Sequence, residues 1–221
     1  MPLETSIAVT AVCVCAYLAG AIPFGYLIGK INGVDIRRCG SGNIGATNVT
    51  RVVGKWWGRL CFFLDFLKGV LPVFAAGLLV RKGILTDSMG ILPCLAAFGA
   101  VCGHIWPLYL GFRGGKGIST AAGAIFALNP PALISAGAVW VIVFFLSRYV
   151  SLASVCAALS LPLFCLLYLH LELFTPPSNA EKVLFCLLAV LTVVKHSSNI
   201  KRLLNGTENR FGNPMKKDTD H

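Results

Sequence analysis

Acidic side chains are scarce in this sequence: nine Asp and Glu stand against nineteen Lys and Arg in 221 residues, for a formal charge of +10. Chemistry that needs a carboxylate base, or a pair of carboxylates, has few positions to draw on. Other familiar machinery is missing too. No His is followed five positions on by Asp, since His104 leads to Tyr109, His170 to Thr175 and His196 to Lys201; there is no G-x-S-x-G elbow and no H-E-x-x-H helix. The nine cysteines (Cys13, Cys15, Cys39, Cys61, Cys94, Cys102, Cys156, Cys165 and Cys186) lack zinc spacing, and only Cys13 and Cys15 are close. Inside apolar runs cysteine is a small packing residue, so no metal, disulfide or cofactor is implied. Charge of either sign is thin, at 13% against 56% hydrophobic content, which excludes an ordinary soluble domain. The basic residues lie in loops between apolar runs without a soluble module to present them, which argues against nucleic acid.

What is present is hydrocarbon. Apolar runs cover roughly 5–29, 60–80, 90–110, 131–147, 151–171 and 182–195, each near the length of a spanning helix or somewhat short of it. The run Ile118 to Leu128, closed by Asn129-Pro130-Pro131, reaches only part-way across and counts as a short seventh segment, fourth in chain order. Glu4 and the lack of Lys or Arg before the first run do not make a cleaved leader, so that run is expected to remain as a helix. The predicted fold is all-α and polytopic, a single membrane domain over 1–221 with about seven transmembrane helices including the short one.

Loop charge orients it. Lys30, Arg37, Arg38, Arg51, Lys55, Arg59, Arg113, Lys116, Arg148 and the basic tail (Lys195, Lys201, Arg202, Arg210, Lys216, Lys217) thread to one face, with only Arg81, Lys82 and Lys182 on the other. By the positive-inside rule the amino terminus is outside and the tail cytoplasmic, which requires an odd number of crossings. Asn205-Gly206 and Asn213-Pro214 read as turns, and the last residues, with Asp218 and Asp220, are expected to be mobile.

Three polar stretches then share the cytoplasmic face: Ser41 to Arg51, Gly111 to Gly117, and Lys195 to Arg202. Water is absent from the bilayer core, so polar and irregular backbone at several helix ends is costly unless it lines a site. In Ser41-Gly42-Asn43-Ile44-Gly45-Ala46-Thr47-Asn48 small residues allow close backbone approach, and Arg51 adds a permanently charged fork suited to phosphate. A helix-capping turn through Ser41 or Asn43 is the plainer alternative. Gly114-Gly115-Lys116-Gly117 at the start of an apolar helix combines free amides with a cation, an anion seat, although Leu110 and Gly117 break the Walker pattern. His196 gains interest from Ser197, Ser198, Asn199 and Lys201 beside it, whereas His104 reads as a helix-end residue. Asp65 and Lys68, at i and i+3, read as a structural pair, and Ser151 as a hydroxyl at a helix start.

Taken together, these motifs resemble the bacterial membrane-integral glycerol-3-phosphate acyltransferases that use acyl phosphate as donor. The resemblance runs over nearly the whole chain and rests on Ser41 to Asn48 with Arg51; on Gly103-His104-Ile105-Trp106-Pro107 with Gly114-Gly115-Lys116-Gly117 and Thr120; and on His196 to Arg202 with Gly206-Thr207-Glu208. Trp106 and Arg113 depart from the family's usual Phe and Lys. The resemblance implies a seven-helix enzyme of the bacterial inner membrane with its active site on the cytoplasmic face. It would move a fatty acyl group from acyl phosphate to the primary hydroxyl of glycerol 3-phosphate, giving lysophosphatidic acid and phosphate, the first acylation of phospholipid synthesis, without a cofactor. Carried over by position, Lys116, His196, Asn199 and Arg51 are the catalytic candidates, and Ser41, Gly42, Asn43, Gly45, Asn48, Gly114, Gly115, Gly117 and Ser151 bind substrate, with Ser154 the alternative to Ser151. Proton removal is expected to be substrate-assisted. The competing reading is a transporter or channel for a phosphorylated anion, and a third is a lipid-binding scaffold without turnover.

Overall fold

A computed structural model describes residues 3–87, 90–171 and 176–212. The Asn213-Pro214 turn and the tail residues Lys216, Lys217, Asp218 and Asp220 lie outside them. The protein is all-α. In chain order the helices are α1 (Leu3–Ala21), α2 (Phe24–Ile31), α3 (Ala46–Val52), α4 (Lys55–Arg81), α5 (Ile91–Ile105), α6 (Ile118–Leu128), α7 (Pro130–Ser147), α8 (Val150–Leu171), α9 (Asn179–Lys195) and α10 (Ser197–Leu204). Five stretches among the described residues are long and apolar enough to cross a bilayer: Ser6–Ile31, Lys55–Arg81, Ile91–Leu110, Pro130–Ser147 and Val150–Tyr168. The pair α9 and α10 makes a sixth only if counted as one span, and it bends by 58°. Helix α6 has 11 residues, about 17 Å at 1.5 Å per residue, which is little more than half of a hydrocarbon core of about 30 Å.

The sequence pattern and the helices differ at three places. Hydropathy reads 5–29 as one run, but Pro23 has no amide hydrogen to donate and breaks it into α1 and α2. The carbonyl of Ile22 at that break accepts a hydrogen bond from Lys68 Nζ at 2.8 Å. The polar stretch Ser41 to Arg51 holds a short helix, α3, and the stretch after Lys195 continues as the amphipathic α10. Asn129-Pro130-Pro131 does stop α6, and it also starts α7, where Asn129 Oδ1 accepts from the Ala132 amide at 3.1 Å. Ser178 and Glu181 form a capping box on α9.

Small residues set how closely the helices approach. Helix α1 packs on α5, α4 on α6, and α7 and α9 on either side of α8. At the first crossing a Cβ on Gly20 would strike the Ala100 carbonyl and one on Gly103 the Tyr17 carbonyl; at the second, Gly69 faces the Thr120 carbonyl and Gly123 that of Phe66. Around these crossings lies a core rich in alanine and cysteine, including Ala16, Ala76, Ala97, Val101, Ile105, Ala124 and Phe185. A second, smaller cluster of Ile28, Ile36, Ile44, Val49 and Cys61 lies under the first polar stretch and joins it to α2 and α4.

Replacing Gly123 by Leu should force α4 and α6 apart at a cost of about 1–3 kcal/mol or more, read as a lower melting temperature in detergent. An unchanged melting temperature would mean that the crossing is looser than the backbone contacts indicate.

Candidate active site

The three polar stretches meet. They line one cavity of about 440 Å³ at the end of the bundle, within the range of small-ligand pockets. Ser41, Asn43, Gly45 and Asn48 come from the first stretch, Arg51 from α3, Lys116 and Gly117 from the loop before α6, Ser151 and Ser154 from α8, and His196 and Asn199 from the α9–α10 bend.

The first wall is built around Asn48, whose side chain is 2% exposed. Its amide nitrogen lies 3.2 Å from the Ile36 carbonyl, 3.0 Å from that of Cys39 and 2.9 Å from that of Asn43, while its Oδ1 accepts from the Ser41 amide at 2.9 Å. Asn48 therefore spends its hydrogen bonds on holding the loop that presents Ser41. Asn43 Oδ1 accepts from the Gly45 amide at 2.7 Å and closes the same turn. Helix α2 supports it from behind, since a Cβ on Gly25 would meet the Ile44 carbonyl.

On the second wall Gly117 caps α6 with φ of 80°, a left-handed conformation that suits glycine. Gly114 and Gly115 do not reach the cavity. Their amides donate to the Ile105 and His104 carbonyls at 3.2 and 3.1 Å, so they are not the free anion donors that the sequence suggests. Gly115 instead lies against the His104 ring, where a Cβ would collide with Nε2. Gly42 faces away from the cavity as well, into a second one. His104 is buried rather than interfacial: its Nδ1 lies 3.6 Å from Asp65 Oδ1, and Asp65 pairs with Lys68 at 2.9 Å.

The third wall centres on Glu208. Ser151 Oγ donates to its Oε1 at 2.7 Å, Asn199 Nδ2 to the same oxygen at 2.6 Å, and Arg202 Nε to Oε2 at 2.8 Å. Asn199 Oδ1 in turn accepts from Lys116 Nζ. The chain beyond α10 is held in place by the Phe211 amide on the Arg148 carbonyl at 2.8 Å and by Arg210 Nε on Tyr149 Oη at 3.1 Å. His196 is 2% exposed, and its Nδ1 lies 2.8 Å from the Thr192 carbonyl. A carbonyl can only accept, so that nitrogen carries the proton and Nε2 of the neutral ring is a hydrogen-bond acceptor. Ser154 Oγ donates to the Val150 carbonyl at 2.8 Å and accepts from Trp140 Nε1 at 3.2 Å, so the two candidate serines both reach the cavity but hold different partners.

Charge follows from this wiring. Arg202 is compensated by Glu208 and Lys68 by Asp65. Arg51, which contacts the Asn209 carbonyl at 3.4 Å, and Lys116 remain as cavity cations without a carboxylate within ion-pair distance among the described residues. Burial pushes the Lys116 ammonium down to about 8, against the pull of Glu208, with neighbouring Arg202 and Arg51 adding to the depression. Burial also lowers Arg51, although a guanidinium stays protonated. For Glu208 burial works upward, but the hydrogen bonds from Ser151, Asn199 and Arg202 outweigh it and hold the carboxyl below its usual range. The site is a neutral-to-cationic bowl whose two lining carboxylates are both engaged, Glu208 by Ser151, Asn199 and Arg202 and Asp65 by Lys68, a surface that favours a small dianion.

Comparison with known proteins matches this architecture. Residues 10–206 match the family described as glycerol-3-phosphate acyltransferase. The protein of that name from Aquifex aeolicus is 44% identical over 198 residues, covering 89% of this chain and 95% of the relative, and that from Desulforamulus reducens is 45% identical over 199 residues, covering 89% and 92%. The chain belongs to the glycerol-3-phosphate acyltransferase family. The crystal structure of PlsY (YgiH), an integral membrane glycerol 3-phosphate acyltransferase, in its glycerol 3-phosphate form superposes with a TM-score of 0.81 at 40% identity, covering 93% of this chain and 96% of that one. This acyltransferase is accordingly a multi-pass membrane enzyme. Sequence reasoning left Glu208 and Arg202 out of its candidate site, although both stand in the third motif; the signal available was a lone acidic residue beside the predicted cationic face. It also left out Trp140, Ser119 and Asn209, which line the cavity without any motif to mark them.

Two outcomes test the wiring. Glu208, with its folded value depressed below the ordinary 4.5, contributes stability that is full above that pH and is lost as pH falls through the folded value. The acid-induced drop in melting temperature should therefore be smaller in Glu208→Gln, which should also be less stable at neutral pH by about 1.5–3 kcal/mol. In the uncomplexed enzyme Lys116 loses its charge above about pH 8, so kcat/KM for an anionic substrate should decline there, and Lys116→Arg should move that limb to higher pH. An alkaline limb that is the same in both proteins would remove Lys116 from that role.

Proposed function

We propose that the protein transfers a fatty acyl group from acyl phosphate to the 1-hydroxyl of sn-glycerol 3-phosphate, releasing lysophosphatidic acid and inorganic phosphate, the first acylation of phospholipid synthesis. The observation that carries this reading is the pair of cations, Arg51 and Lys116, in one cavity at the end of an apolar bundle, neither of them in an ion pair among the described residues. Both substrates bring phosphate, and two phosphates in a poorly hydrated groove repel one another unless fixed cations offset them. The choice of acyl phosphate as donor rests on the three motifs quoted above.

Arg51 and Lys116 hold phosphate oxygens, helped by Ser41 and the amides that open α6. Asn199 is positioned by Glu208 and steers the Lys116 ammonium into the cavity. His196 Nε2 accepts from a glycerol hydroxyl and orients it. The hydroxyl oxygen attacks the acyl carbonyl carbon, a new ester C–O bond forms, and the bond from that carbon to the phosphate oxygen breaks. The hydroxyl proton passes to a substrate phosphate oxygen, since Glu208 already accepts three hydrogen bonds and Asp65 faces Lys68. Ser151 shapes the glycerol end through its bond to Glu208. Asn43, Gly45 and Gly117 complete the wall, and Asn48, Gly42, Gly114 and Gly115 act by shaping the loops. Positioning and electrostatics supply the rate enhancement.

For topology we favour seven crossings, with α6 as the short one, the amino terminus outside, the tail and the cavity cytoplasmic, and the whole chain 1–221 one domain of the bacterial inner membrane. The loop charges listed above support this arrangement.

Purified protein in lipid should convert acyl phosphate and glycerol 3-phosphate to lysophosphatidic acid. Uptake of glycerol 3-phosphate into vesicles without covalent conversion, or binding of acyl phosphate without consumption, would overturn the reading in favour of a carrier or a scaffold. Lys116→Ala should lower kcat/KM by about 10- to 100-fold or more, the equivalent of a charge-assisted hydrogen bond worth about 1.5–3 kcal/mol.

A further inference from the structure

Behind the first cavity lies a second of about 450 Å³, bounded by Asp35, Arg37, Arg38, Gly42, Leu110 and Arg113 among others. The two share their walls. Ser41, Asn43 and Gly45 look into the first cavity while Gly42 and Ile44 look into the second, and along the other loop Gly114 faces the second while Lys116 and Gly117 face the first.

Three guanidinium groups meet one carboxylate here. Arg37 is consumed by Asp35, donating to it through Nε at 2.9 Å and Nη2 at 2.8 Å, and it stacks over Tyr26 at 4.6 Å. Arg38 reaches the same carboxylate only at 3.9 Å and is 87% exposed. The Arg113 guanidinium makes no hydrogen bond or ion pair among the described residues, so three guanidinium groups share the one carboxylate of the cavity lining, which keeps an excess of positive charge. Guanidinium groups around one hollow offer a bound phosphate planar, bidentate donors and gain from its charge.

The place of the cavity narrows the anion. It lies where the spans Ser6–Ile31 and Ile91–Leu110 end, at the boundary of the apolar zone. The loop that carries Arg113 also turns Leu108, Tyr109 and Phe112 outward, each more than half exposed. A guanidinium pair beside an apolar shoulder at a span end matches a phosphate attached to hydrocarbon better than a free anion.

We propose that this second cavity is a seat for the phosphate head group of an anionic amphiphile, held by Arg38 and Arg113 with its chain lying along Leu108, Tyr109 and Phe112. The proposal does not depend on the reaction assigned to the first cavity. Two sources share the chemistry, a phosphatidic-acid-type membrane lipid and a lysophosphatidic acid, and both can be offered separately.

The full chain carrying Lys116→Ala, which weakens the first cavity, would be titrated in uncharged detergent with phosphatidic acid, lysophosphatidic acid, diacylglycerol and inorganic phosphate. At least one phosphorylated lipid should bind more tightly than diacylglycerol and inorganic phosphate, and the tighter of the two identifies the source. Adding Arg38→Gln with Arg113→Gln should weaken that binding about tenfold or more, whereas Arg38→Lys with Arg113→Lys, which keeps the charge, should retain most of it and reports on folding. Unchanged affinity in the Gln variant overturns the proposal. So does equal binding of diacylglycerol, or a preference for inorganic phosphate alone.

Discussion

Glu208 is bound from three directions, by a hydroxyl on α8, an amide on α10 and a guanidinium on the same helix. Through Asn199 the chain of contacts reaches Lys116, which belongs to a loop more than eighty positions earlier. One carboxylate thus joins the tail, α8, α10 and the glycine loop, and adds to the Phe211 and Arg210 contacts that fasten the tail to the start of α8. It also removes Arg202 from the charge balance and leaves Arg51 and Lys116 to face a ligand. Hydrogen bonds to a charged acceptor are among the stronger ones available to a protein, and here three of them converge on one group.

A second charged cluster forms the inner side of the same cavity, which Asp65 and His104 line. Asp65, Lys68 and His104 are all buried, an arrangement whose desolvation cost is repaid only by close pairing. Two of them serve a neighbouring element: Lys68 donates to a carbonyl at the α1–α2 break, and the His104 ring supports Gly115 just before the cavity lysine. The cluster lies between the break near the amino terminus and the loop before α6, so the placement of Lys116 is tied to the packing of α4 and α5.

Much of this was legible in the residues. Long apolar runs located the spans, and three polar stretches on one predicted face located the cavity, because hydrocarbon tolerates such groups only where they are used. What escaped reading was how the folded chain spends each group's hydrogen bonds and where its helices break. Asn48 looked like a ligand-binding amide, yet four backbone groups of its own loop claim it. Gly114 and Gly115 looked like open donors, yet the end of α5 accepts from both. The Pro23 break was hidden by the hydropathy on either side, and α10 by the polarity of the tail, since of that short helix Asn199 and Arg202 line the cavity and only Asn199 is buried. Glu208 carried no motif weight alone; its importance comes from Ser151, 57 positions away.

The backbone-to-backbone crossings of α1 with α5 and α4 with α6 have a mechanical consequence. Where glycine meets carbonyl there is no side chain to repack, so rotation or sliding of one helix against the other drives main chain into main chain. Those four helices form a stiff frame on one flank of the cavity. Adjustment of the cavity to what it holds is then left to the side chains that line it, the rings of Phe62 and Trp140 among them, instead of to helix spacing.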